Sequence, residues 1–180
     1  MDIPLAKLKA ILLFFGNNTN TKYLGKVKLM KLFYFLDFTH VKKYGTPITF
    51  DTYVNLEHGP IPSAIKNLVD TASEDVDNSV LTDTISFETP EGTKMCRVIP
   101  ARPFTERESK LLSRSEIEVL EAVCRRFKDS NTAAIEKASH SEAPWLKTEL
   151  LQNIPYTLAA DDADCFVSKE EIELSLMVSR

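Results

Sequence analysis

Gly25-Lys26-Val27-Lys28-Leu29-Met30-Lys31-Leu32-Phe33-Tyr34-Phe35-Leu36-Asp37-Phe38-Thr39-His40 is the stretch that decides how this chain of 180 residues folds. From Leu29 to Phe38 only Lys31 and Asp37 carry charge. A helix over these residues is apolar around most of its circumference, which predicts burial against several neighbours rather than a surface position. The spacing places this central helix at about 26–44, with Gly45-Thr46-Pro47 ending it.

Upstream, Leu5, Leu8, Ile11, Leu12 and Phe15 recur at intervals of three and four, the pattern of an amphipathic helix. Gly16-Asn17-Asn18 is expected to stop it. Downstream, Ile48–Leu56 is rich in β-branched and aromatic residues and predicts a short strand near 50–57. His58-Gly59-Pro60-Ile61-Pro62-Ser63 reads as a sharp turn that opens a helix at about 61–72, with Ile61, Ile65, Leu68 and Val69 inside. Alternation in 84–88 and 95–99, around Pro90–Thr93, predicts a β-hairpin near 84–100 with a loop of four or five residues. Two strands alone are marginal in water, so the hairpin should pair with the 53–56 strand or lie on a helix. Ser113-Arg114-Ser115-Glu116 reads as a capping box, and Ile117, Leu120, Cys124 and Phe127 as the buried stripe of the helix it opens. A short helix over 132–140 and a capped terminal helix from Ser168, with Ile172 and Leu176, complete the reading. The fold class is α+β, mainly α-helical: a compact helical bundle around a buried central helix, with a small antiparallel sheet. Residues 1–180 fit one domain.

The net charge of −4 is unevenly placed. Residues 1–50 hold eight lysines against Asp2 and Asp37, a net +6 that leaves −10 for the remainder. Such lysines ordinarily form a solvated helix face; gathered on one side, they steer an acidic partner. The overall acidity argues against nucleic acid as that partner. Three widely spaced cysteines, Cys96, Cys124 and Cys165, suit neither a disulfide framework nor a zinc site, and the absence of a signal-like start predicts a cytoplasmic protein. No apolar run approaches the roughly 20 residues that span a bilayer, so no membrane is expected as a partner.

Chemistry would have to be assembled from His40, His58, His140, the cysteines and dispersed acids. His40 lies three residues after Asp37, within reach on one helical face, an arrangement that orients an imidazole for catalysis and more often holds a structural one. No nucleophile elbow, zinc-binding His-Glu-x-x-His helix or phosphate-binding glycine loop is present. The reading is a binding protein with no catalytic residues, no metal and no cofactor.

Three pieces in register carry a resemblance: Lys28-Leu29-Met30-Lys31-Leu32-Phe33-Tyr34-Phe35, His58-Gly59-Pro60-Ile61-Pro62-Ser63, and His140 with Pro144-Trp145. Their order and spacing resemble the Panacea domain, the SocA-like antitoxin or phage-associated GepA-like family, over about residues 5–176. The resemblance implies an antitoxin of a bacterial, often prophage-borne, type II toxin–antitoxin pair that neutralises its toxin by direct contact. The alternative it implies is a phage-associated adaptor, such as one delivering a partner to a Clp-type protease. Leu29, Leu32, Phe33, Tyr34, Leu36, Gly59, Pro60 and Trp145 are the signature and core positions. Lys28, Lys31, Tyr34, His58, Gly59, Pro60 and Trp145 are the candidate partner-binding residues. His58 stands where the family commonly has an aromatic residue.

Overall fold

The computed structural model describes residues 3–178. In chain order its elements are α1 (Leu5–Asn18), α2 (Lys26–Tyr44), β1 (Tyr53–Leu56), β2 (Gly59–Pro62), α3 (Ser63–Glu74), β3 (Ile85–Glu88) and β4 (Arg97–Pro100). They continue with α4 (Glu106–Ser109), α5 (Arg114–Phe127), α6 (Thr132–Ser139), α7 (Ala143–Leu146), β5 (Asn153–Ile154), a 3-10 turn at Tyr156–Asp161 and α8 (Lys169–Val178). The fold is α+β and mainly helical, as the sequence pattern requires.

Helix α2 is the axis. Fourteen of its nineteen residues are buried, so the apolar run packs on every side. Phe33 meets Phe15 of α1 edge-on at 5.4 Å between centroids, Phe35 lies 4.4 Å from Phe127 of α5, and Phe38 faces Tyr53 and Tyr156. Each such side chain fully buried contributes roughly 1.5–3 kcal/mol. Gly45 ends the helix at φ 78°, and its N–H donates to the Val41 carbonyl, a left-handed cap that a β-carbon would strain.

Several expectations shift. Helix α1 runs through Gly16 to Asn18 instead of stopping there. Gly16 is needed for packing: a β-carbon on it would lie 2.8 Å from the Pro100 side chain. The turn before α3 is confined to Glu57-His58, and Gly59–Pro62 is a strand pairing with β1 in the register Tyr53↔Pro62 to Leu56↔Gly59. Ile61 therefore belongs to β2, not to the helix, and Leu68 is only partly buried. The sheet order is β2-β1-β5, which puts both prolines on an edge strand where a missing N–H breaks no ladder. Strand β5 had no expectation.

The β3–β4 hairpin forms a separate two-stranded sheet, joined through eight residues rather than four or five. It lies on α1, the second of the two placements expected. On α5, Ile117 is only partly buried, and Val119 and Val123 join Leu120, Cys124 and Phe127 inside. Ser113 and Glu116 form the expected capping box, and Ser168 and Glu171 exchange the same pair of bonds at α8. Asp51 caps α3 from a distance in sequence, accepting from the N–H groups of Ala64 at 3.0 Å and Ile65 at 2.8 Å.

Candidate functional site

The lysines of the basic N-terminal third do not form one solvated face. Lys28, Lys31 and Lys42 are buried, because each reaches an acceptor brought in from elsewhere in the chain. Lys28 Nζ donates to the carbonyls of Lys128 at 3.0 Å and Ser130 at 2.7 Å, just beyond the end of α5 where the helix dipole is negative. Lys42 Nζ sits among carboxylates, 3.2 Å from Glu142, 2.8 Å from Asp162 and 3.1 Å from Asp164. Tyr34 donates to the other Glu142 oxygen at 2.9 Å. Burial pushes the Glu142 carboxyl upward, and the Lys42 ammonium opposes that shift.

Asp37 is fully enclosed between α2 and the 48–53 segment. It accepts from the N–H groups of Ile48 and Thr49 at 2.8 Å each, from the Thr49 hydroxyl, and from Tyr53 at 2.9 Å and Tyr156 at 3.3 Å. Burial raises its pKa and those hydrogen bonds pull against the rise. None of these partners is His40, so no hydrogen-bonded Asp–His pair forms. The His40 nitrogens face the Thr46 carbonyl and, at 3.2 Å, the Ser115 hydroxyl, and burial keeps the ring's pKa low.

Five of the seven candidate residues converge where α2, the β1–β2 hairpin, α6 and α7 meet. Lys31 Nζ donates to the Pro60 carbonyl at 2.9 Å. Gly59 adopts φ 92°, and a β-carbon there would lie 2.8 Å from Ser139 Oγ, 2.9 Å from Lys31 Nζ and 3.0 Å from His140 Nε2. His140 stacks on Trp145 at 4.0 Å with 12° between planes, and Trp145 Nε1 donates to the Leu56 carbonyl at 3.5 Å. His58 Nδ1 lies 3.1 Å from Glu136 Oε1. The remaining two stand apart: Tyr34 belongs to the Lys42 cage, and Lys28 to the end of α5.

Electrostatically the cluster is tense. Burial takes the Lys31 pKa down to about 7, against an upward pull from Glu136. His140 Nε2 is buried without a hydrogen-bond partner among the described residues, and its ring's pKa is lowered first of all by burial. A lysine that is half neutral at pH 7 is a nucleophile in principle, but Lys31 is 0% exposed and closed in by the hairpin. What the arrangement does physically is clamp the hairpin to α2 and α6. Of the seven candidates, Lys28, Lys31, Tyr34, Gly59 and Pro60 are enclosed, and only His58 and part of Trp145 are open to solvent.

Sequence reasoning missed Glu136, Ser139, Lys42, Glu142 and Asp162. Glu142, two residues before Pro144-Trp145, and the acidic run at 161–164 were the visible signals. Among the described residues no group of three or more His, Cys, Asp or Glu side chains is placed to hold a metal ion, and no helix is long and apolar enough to cross a membrane.

Residues 29–146, which carry the clamp from Lys31 to Trp145, match the family described as antitoxin SocA-like, Panacea domain. The chain belongs to this family. No curated protein and no solved structure matches it. In this Panacea protein the signature residues thus have a structural task that can be named: Leu29, Leu32, Phe33 and Leu36 fill the core around α2, and Gly59 and Pro60 shape the hairpin it clamps. The family is named for an antitoxin, which implies a toxin partner in general.

Proposed function

We propose that the protein acts as one domain in the bacterial cytoplasm, as the antitoxin of a type II toxin–antitoxin pair, holding its toxin inactive by direct contact. The family match over 29–146 carries this reading. The internal chemistry agrees with it. The cationic and nucleophilic groups that an enzyme would present at a cleft are spent on holding the fold together: Lys28 on carbonyls, Lys42 on carboxylates, Lys31 on Pro60. Cys124 is sealed in the core, with its thiol pushed up to about 12 by burial, far from the thiolate that catalysis needs.

The test is genetic and then physical. A neighbouring open reading frame that kills when expressed alone is co-expressed with this protein, and the pair is purified through a tag on one chain. Rescue of growth with a co-purifying complex is the expected result. No rescue by a folded, soluble protein refutes the proposal. Measuring the toxin's lifetime separates sequestration, which leaves its level unchanged, from delivery to a Clp-type protease, which shortens it.

A further inference from the structure

We infer that the stretch from Leu146 to Val178 forms the protein's docking surface and takes a basic amphipathic segment of a partner protein. The inference deepens the antitoxin reading by giving the partner's contacting segment a chemistry.

Among the described residues, every large apolar side chain that is 60% or more exposed falls in this stretch, from Leu146 at 60% to Phe166 at 81%. The next most exposed elsewhere is Val76 at 57%. Single exposed leucines are ordinary, but a concentration of this kind in one part of a chain marks a surface meant to be covered. Helices α7 and α8 both rest on the Tyr156–Asp161 turn, and an ion pair of 3.0 Å between Lys147 and Asp161 ties the α7–β5 connection to that turn.

Helix α8 has two apolar faces. Ile172 and Leu176 point inward, with Ile172 fully buried. Leu174, Met177 and Val178 sit at spacings of three and four on the opposite side and are 62%, 76% and 78% exposed. One turn earlier on that outer side are Glu170 and Glu173, four residues before Leu174 and Met177 respectively, and both are exposed. The outer face therefore offers an apolar stripe with carboxylates along it.

Charge selects the occupant. Of the seven carboxylates in residues 146–178, Asp162 and Asp164 pair with Lys42 and Asp161 with Lys147, which leaves Glu149, Glu170, Glu171 and Glu173 against Lys169, a net −3. A second copy would bring a face of the same negative sign against this one, which disfavours self-association. A segment with lysines or arginines beside an apolar stripe answers both features at once, burying Leu174, Met177 and Val178 while neutralising the acids. Beyond Leu146 the surface lies outside the family match, which covers residues 29–146.

The test uses the full-length protein and two synthetic peptides of helical repeat, one of leucine and lysine, the other with glutamate for every lysine. Binding is followed by fluorescence anisotropy of the labelled peptide. The lysine peptide is expected to bind and the glutamate peptide not. Glu170→Lys with Glu173→Lys, and separately Leu174→Ser with Met177→Ser and Val178→Ser, should each weaken binding about tenfold or more. The control reversal Asp77→Lys with Glu91→Lys, on exposed residues outside the surface, should change it less than twofold. Circular dichroism melts establish that each variant is folded.

Equal loss in the control, no lysine-peptide binding, or survival of binding in the apolar variant each overturns the assignment, as does a wild-type dimer in sedimentation that the α8 variants abolish. In the rescue assay, α8 variants that are folded yet still protect against the toxin would sink the docking surface while leaving the antitoxin reading intact. Peptide binding that obeys the expectations without any toxin rescue would do the reverse.

Discussion

Replacing Lys31 by methionine probes an ammonium sealed in the interior with one carbonyl for company. In an unfolded chain lysine titrates near 10.4, whereas in the fold burial brings Lys31 down to about 7. Below pH 7 both states carry the proton and the full cost of burying it is present; above about 10.4 neither does and the cost is gone. Between those limits the unfolded chain binds more protons than the native one, so stability rises with pH. The gap corresponds to at most about 4–5 kcal/mol, of which about 2 kcal/mol is recovered between pH 7 and 9. Methionine keeps an unbranched chain of similar reach, carries no charge, and loses only the bond to the Pro60 carbonyl, about 1 kcal/mol at every pH. Lys31→Met is therefore expected to be more stable than wild type by roughly 3 kcal/mol at pH 7 and by roughly 1 kcal/mol at pH 9. Urea unfolding followed through Trp145, the single tryptophan, measures both across that range. Other titrating groups, Lys28 among them, are common to both proteins and cancel in the difference. Parallel stability profiles for the two proteins, or a variant weaker at pH 7, would refute the argument.

Three further outcomes follow from the same geometry. Gly59→Ala should cost roughly 2–4 kcal/mol, because it combines a left-handed φ with contacts of 2.8–3.0 Å; Gly92→Ala, also left-handed at φ 74° but with nothing within 4 Å, should cost about 1 kcal/mol, and equal melting temperatures for the two would contradict this. Asp37→Ala strands two buried N–H groups and is expected to lose roughly 3–5 kcal/mol, while Asp37→Asn keeps an acceptor for them, lets the neighbouring hydroxyls turn, and should lose less than half as much in denaturant titration. Lys42→Met leaves Glu142 and Asp162 facing each other without their cation and should cost roughly 3–5 kcal/mol at pH 7; adding Glu142→Gln should restore part of it, and a double variant no better than the single would argue against the cage.

How much of this was legible in the sequence depends on how local the cause is. Helix α2 was readable because an apolar run interrupted only by Lys31 and Asp37 has few other homes. The caps at Ser113 and Ser168 were readable because both partners lie within one turn. Strand β2 was not, since Gly59-Pro60-Ile61-Pro62 carries the signals of a turn and a helix start. It becomes a strand only because it sits at a sheet edge and is gripped by Lys31 from another element. The buried lysines looked like surface charge for the same reason. The acceptors of Lys28 are backbone carbonyls about a hundred residues away, and a carbonyl leaves no trace in the residue alphabet. Of the candidate contacts, Gly59 and Trp145 take part in a clamp whose other half, Ser139 and Glu136, lies on a helix that sequence patterning marked only as short.

The long reach of the α2 side chains has a consequence for synthesis on the ribosome. When residue 44 leaves the exit tunnel, the helix is complete, yet the carbonyls for Lys28 and the carboxylates for Lys42 belong to residues 128–164 that have not been translated. Until those residues arrive, the nascent chain carries an oily rod whose cations have only water for company, a form that chaperones shelter and proteases seek.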